Sequence, residues 1–183
     1  PYVQSMQRII DSRKRAVIDY HLMVDDRISH GENANPASTD KLRIKRARLK
    51  DCMQLYPLQL SYEKEEVLID PQRSNPTATL INLKNTIRKQ IVLYATEGGK
   101  VVAKAGTNAR GIGYAQLGGV YTLPERRNQG IGELLIRRLL HILHKSGLHA
   151  CLFVKKDNPA AVKLYEKTGF SINGEFRIAY YGK

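Results

Sequence analysis

The residues best suited to chemistry lie in the stretch Thr122 to Gly132, TLPERRNQGIG. An apolar run, Tyr114 to Tyr121, precedes it and reads as a strand. Ile131 to His144 follows, with apolar residues at helical spacing. A basic glycine turn between a strand and a helix start leaves backbone N–H groups unpaired at the positive end of a helix dipole. Such a turn suits a phosphate or pyrophosphate. Gly130 and Gly132 lack a Cβ, so a ligand can approach the backbone. Arg126 and Arg127 add charge beside them.

Other chemistry-bearing residues are fewer. Glu63, Glu65 and Glu66 form the one acidic cluster in a basic chain, near the end of a helical region. They read equally as surface charges on a helix end. His141 and His144 stand about one helical turn apart, and His149 and Cys151 alternate on a strand, a spacing that suits a metal. Both helix histidines fall on a polar flank, so solvated side chains and no metal are expected. Gly111-x-Gly113 runs into a strand rather than a helix and lacks the third glycine of a dinucleotide fingerprint. No phosphate-binding Gly-x-x-x-x-Gly-Lys-Ser/Thr run is present.

Two blocks resemble signatures of the GNAT N-acetyltransferase superfamily. Arg127, Asn128, Gln129, Gly130, Ile131 and Gly132 match its acetyl-CoA loop, Arg/Gln-x-x-Gly-x-Gly/Ala. Asn158 to Phe170 (NPAAVKLYEKTGF) is similar to its second signature, in the right order and at the right separation. The resemblance covers roughly residues 41 to 183. It implies an α/β (α+β) fold with a mixed, mostly antiparallel central sheet flanked by helices, and acetyl transfer from acetyl-CoA, the co-substrate, to a primary amine. It implies further that Val120, Tyr121 and Thr122 pair with the pantetheine arm, that one of their N–H groups stabilises the thioester oxygen, and that Arg127 to Gly132 hold the pyrophosphate. Asn158 would bond the CoA arm, and Tyr165, two turns on, would protonate the departing thiolate. The acidic cluster would line the cleft and attract a cationic amine. Many relatives take the amine proton with a glutamate at the position of Gln116. Glutamine cannot do this at neutral pH, so the base moves to Glu65 or Glu66, passes through water, or is absent. The acceptor is unassigned.

The elements that position these residues follow from periodicity and punctuation. Tyr2 to Lys14 predicts a helix and Ala16 to Val24 a strand. Asp25 to Asp40 is a polar linker. We expect two domains: residues 1–40 as an N-terminal helix-strand appendage, and residues 41–183 as the acetyltransferase domain. The appendage reads either as the tail of a truncated preceding domain, since the chain opens on Pro1, or as a strand added to a sheet edge. Lys41 to Ala47 is the domain's first strand, and Leu49 to Leu68 a helix that Pro57 kinks or divides. Thr77 to Gln90 is a helix capped by Thr77 or Thr79. Strands follow at Ile91 to Thr96 and Lys100 to Ala105, with a turn over Gly106 to Gly111. The main helix, Ile131 to Ser146, ends at Gly147. His149 to Lys155 is a strand, and Asn158 to Thr168 a helix. Phe170 to Tyr181 holds two strands joined at Asn173-Gly174.

Composition limits the function classes. No apolar run approaches a membrane span, and no signal peptide is visible. Cys52 and Cys151 read as buried thiols in a reducing compartment, which places the protein in the cytoplasm. A net charge of +13 suits an anionic ligand. It equally allows a basic RNA- or ribosome-associated protein, an alternative beside a catalytically silent CoA-binding module; nucleic acid ranks below the enzyme reading because the charge is dispersed. The oligomeric state is open, with a homodimer among the alternatives.

Overall fold

The computed structural model describes residues 14–25 and 42–181. Its strands are β1 (Lys14–Asp25), β2 (Leu42–Arg46), β3 (Val92–Glu97), β4 (Lys100–Arg110), β5 (Tyr114–Thr122), β6 (His149–Lys155) and β7 (Ser171–Tyr181). They form one sheet in the order β2-β3-β4-β5-β6-β1-β7. Every neighbouring pair is antiparallel except β5 and β6. The helices are α1 (Cys52–Tyr62), α2 (Pro76–Lys89), α3 (Ile131–Lys145) and α4 (Pro159–Thr168). The helix expected from Tyr2 and the linker expected after Asp25 lie outside the described residues.

Alternation along β3 assigns the helices to opposite faces. Leu93 and Ala95 pack with Leu135, Ile136 and Leu139 of α3. Val92 and Tyr94, one residue out of phase, pack with Cys52 and Leu55 of α1 and Leu83 and Ile87 of α2. Successive strand residues point to opposite faces, so α3 covers one side of the sheet and α1 and α2 the other. Ala150, Leu152 and Val154 put β6 on the α3 side.

Several expectations are corrected by tertiary contacts. β1 is no appendage: it lies inside the sheet, paired to β6 on one side and β7 on the other. Consequently Ser171–Tyr181 is one strand. Asn173-Gly174 makes no hairpin, because β1 supplies the pairing along its whole length and the extra residue becomes a register shift opposite Leu22 and Met23. Gly106 is not in a turn, since β4 continues to Arg110. A Cβ at Gly106 would stand 2.8 Å from the Ile91 carbonyl, so glycine is there for close approach. Pro57 sits inside α1 without dividing it. The irregularity comes later, where Glu63–Val67 widen into a π-helical turn. The cap of α2 is Asn75, whose side chain accepts from the Ala78 N–H at 3.0 Å, with Pro76 at the first helical position.

Candidate active site

The site begins where β5 and β6 part. They pair at Tyr114–His149, Ala115–Ala150 and Gln116–Cys151, then diverge. On its other side β5 stays paired with β4 as far as Thr122. Between the pairs Lys104–Tyr121 and Gly106–Gly118 the register shifts, so Gly119 and Val120 stand opposite Ala105 alone. This is a bulge with Gly119 in the left-handed region, φ 62°. Past Gln116, the β5 edge that faces β6 therefore borders a gap instead of a strand. The gap is a cleft of about 350 Å³, lined among others by Gln116, Val120, Glu66, Asn158 and Tyr165.

At the end of β5 the chain makes a short turn and enters α3 through the basic loop. Gly130 caps α3 at φ 75°, and a Cβ there would meet nothing within 4 Å. The loop thus needs glycine for its backbone, and the space beside it is open. Leu134 donates the first helical hydrogen bond, to the Gly130 carbonyl at 3.0 Å. The N–H groups ahead of it lack intrahelical acceptors, as at any helix start. Gly132 serves packing instead. A Cβ there would approach Leu164 to 3.3 Å, so its absence lets α3 lie against α4. The two arginines also differ. Arg126 pairs with Glu97 at the end of β3, which commits its charge to the fold. Arg127 donates to the Thr122 carbonyl at 3.2 Å and to Glu65 at 2.6 Å. An open, positively charged helix start with one half-exposed arginine fits an anionic group.

The three glutamates separate by environment. Glu63 accepts from Gln59 at 2.9 Å and from the Thr79 hydroxyl, contacts internal to the helical layer. Glu65 accepts from the Tyr121 hydroxyl at 2.8 Å and from Arg127. Burial pushes the Glu65 carboxyl up, but those two donors outweigh it and its pKa lies below the ordinary value. Burial, and after it the same contact with Glu65, push the Tyr121 hydroxyl up to about 12. Glu66 alone of the three lines the cleft, 3.6 Å from the Lys155 ammonium.

α4 brings Asn158 and Tyr165 to the same cleft. The Asn158 side chain accepts from the Ala161 N–H at 3.1 Å, so its carbonyl oxygen caps the helix and its amide NH2 can donate to a ligand. Tyr165 is buried, edge-on to Phe170 at 5.8 Å. Burial, then Tyr62 and Glu66, push its hydroxyl pKa well up, so it keeps its proton. Val120 lines the cleft, and Tyr121 turns its ring to Tyr62 at 6.0 Å. Asn128 has φ 59°, and Gln129 donates to the Glu125 carbonyl at 3.4 Å, both within the loop.

Lys104 and Tyr62 were not singled out by sequence. Lys104 is 4% exposed, and its ammonium donates to the Gly119 carbonyl at 2.7 Å. The nitrogen also stands 4.1 Å from the centre of the Tyr62 ring. Burial lowers its pKa from 10.5 to about 7, against the opposing pull of Glu63. The available signal was a charged residue inside the apolar run Val101 to Ala105, where a strand between helical layers buries both faces.

The histidines form no metal centre: among the described residues no group of three or more metal-ligating side chains converges. The expectation that His144 is solvated is corrected. Its Nε2 lies 2.8 Å from a carboxylate oxygen of the buried Asp25, at the end of β1. Cys52 and Cys151 are both free thiols, Cys52 buried and Cys151 half-buried.

The sequence model of the acetyltransferase (GNAT) family matches residues 52–170. No curated protein matches the sequence. Among solved structures, a GNAT-family protein from Novosphingobium aromaticivorans is similar, with a TM-score of 0.69 at 22% identity, covering 91% of this chain and 65% of its own. This chain therefore spans just under two thirds of that protein's length. A GNAT-family acetyltransferase from Streptococcus pneumoniae is 26% identical, with a TM-score of 0.59 over 73% of this chain and 87% of its own. A Salmonella typhimurium protein solved with its cofactor acetyl-CoA gives a TM-score of 0.61 at 19% identity, over 74% of this chain and 82% of its own.

Proposed function

The chain belongs to the GNAT acetyltransferase family, and from that premise we propose that it moves an acetyl group from acetyl-CoA to a primary amine by direct attack on the thioester. The observation that carries the reading is the gap between β5 and β6, bordered by the bulge at Gly119 and Val120 and leading to the open helix start at Gly130. A pantetheine arm would lie along Val120 to Thr122 as an added strand. The pyrophosphate would rest on Arg127 to Gly132, with Asn158 bonding the arm through its amide.

The side chains then divide the chemistry. Glu66 is the carboxylate that lines the cleft, and it takes the proton from the attacking amine, directly or through water. Glu65 is the less suited of the two, since Tyr121 and Arg127 each donate to one of its oxygens and it does not line the cleft. The Val120 N–H stabilises charge on the thioester oxygen. Tyr165 gives its proton to the departing thiolate, and the proton that Glu66 has taken from the amine restores it through water. Two free thiols agree with a reducing, cytoplasmic setting, which belongs to the same proposal.

One observation favours a second reading, a silent CoA-binding module: a glutamine occupies position 116, at the inner end of the cleft. Calorimetry with acetyl-CoA, followed by thiol release in the presence of varied primary amines, separates the two. Binding with turnover supports the enzyme, and binding without turnover on any amine supports the module.

A further inference from the structure

Lys104 places a buried ammonium against one particular peptide of β5. Its nitrogen donates to the Gly119 carbonyl at 2.7 Å. Gly119 has φ 62°, a backbone conformation that favours glycine, and a Cβ there would stand 2.9 Å from that nitrogen and push the lysine tip aside. The Gly119 carbonyl and the Val120 N–H belong to the same trans peptide, and in such a unit the two groups point in opposite directions. Gly119 and Val120 both border the cleft, and the Lys104 ammonium reaches the Gly119 carbonyl from the face of the sheet that carries α1 and α2.

We propose that Lys104 is a positioning residue whose ammonium holds the Gly119 carbonyl and so aims and polarises the Val120 N–H as the donor to the thioester oxygen. The inference rests on the acetyl-CoA reading above. A charge-assisted bond to a carbonyl is roughly twice as strong as a neutral one, and bonds in series polarise one another. The peptide at the bulge is therefore both fixed in direction and made a better donor before any ligand arrives. The face of Tyr62 gives the cation a partner without offering it a competing acceptor.

The surroundings determine how the lysine responds to pH. On its face stand Glu63 and Tyr62 from the helical layer, Tyr94 from β3, and Tyr121 from β5 with Glu65 beyond it. Glu63 favours the charged form, and burial opposes it more strongly. The ammonium is thus present in acid and lost as pH rises through about 7.

The test is the isotope-edited infrared spectrum of acetyl-CoA labelled at the thioester carbonyl carbon, bound to the wild-type protein and to Lys104→Met. The expected result is a carbonyl band moved to lower frequency in the wild type, with more than about half of that shift absent in Lys104→Met. In the wild type the shift should also shrink between about pH 6 and about pH 8.5, which a merely structural lysine would not produce. An equal shift in the variant, or a wild-type shift constant across that pH range, overturns the inference and leaves the proposed function standing. A wild-type protein that takes up no acetyl-CoA overturns both. Should Lys104→Met fail to fold, the wild-type pH series decides alone.

Discussion

The guanidinium of Arg127 donates to the carboxylate of Glu65 at 2.6 Å, which joins the basic loop ahead of α3 to the π-helical turn after α1. The loop's one half-exposed arginine is thereby shared between the fold and any anion that arrives. Both partners are over a third exposed, so the pair contributes at most about 1 kcal/mol. That is small enough for a pyrophosphate to displace.

The two neighbouring glutamates should therefore behave differently. Glu65→Gln is expected to leave turnover within about threefold and to tighten acetyl-CoA binding by a few-fold, because Arg127 is released. Glu66→Gln should keep acetyl-CoA affinity and lose about 10²-fold or more in turnover. Steady-state kinetics with calorimetry on both variants decide this, and the reverse pattern would move the base to Glu65.

Tyr165→Phe keeps the ring against Phe170 and removes the hydroxyl. Thiolate is a tolerable leaving group, since a thiol has a pKa of about 8.5. The expected loss is near the low end of about 10²–10⁴ in turnover, with acetyl-CoA affinity and melting temperature unchanged. A change under about threefold, ~0.7 kcal/mol of barrier, would make Tyr165 structural.

Removal of β1 should be costly. It bonds β6 and β7 and carries Asp25 to His144. A chain beginning at residue 41 would leave β7 with no neighbour among the described strands. We expect loss of cooperative melting or of solubility, read by calorimetry and gel filtration. A protein of residues 41–183 that melts cooperatively and binds acetyl-CoA as the whole chain does would contradict this.

How far the chain was legible depends on how local each signal is. The loop at Arg127 to Gly132 and the helix from Asn158 are written in glycines, caps and periodicity, and both stand where the sequence puts them. What the sequence could not convey is pairing at a distance. The Asn173-Gly174 turn signal is overruled by β1, which lies near the other end of the chain. Likewise, nothing in the run Val101 to Ala105 shows that Gly119 and Tyr62 will close around Lys104. The roles of the glutamates were open because they depend on which partner each meets across the layer.

Lys104 should also mark the stability of the fold. Its folded pKa is depressed from 10.5 to about 7, so between those values the unfolded chain binds the extra proton and stability rises with pH. The cost of the buried charge is fully present below about pH 7, is at most roughly 5 kcal/mol, and disappears toward pH 10.5. Lys104→Met should therefore gain stability relative to wild type most in acid, with the difference falling as pH rises. Denaturant melts at about pH 6 and about pH 9 check this; a difference that grows with pH would show that the lysine is not destabilised by burial.

The most direct measurement of the central claim is release of free CoA thiol from acetyl-CoA in the presence of a broad set of primary amines, with the acylated amine identified by mass and Gly130→Val as the comparison. Gly130→Val both strains a left-handed position and fills the open space beside the loop, so its folding is checked by melting. We predict thiol release matched by an acetylated amine in the wild type, and acetyl-CoA affinity lowered at least about tenfold, ~1.4 kcal/mol, in the folded variant. Acetyl-CoA that binds equally to both proteins, or that binds and is transferred to no amine, would contradict it.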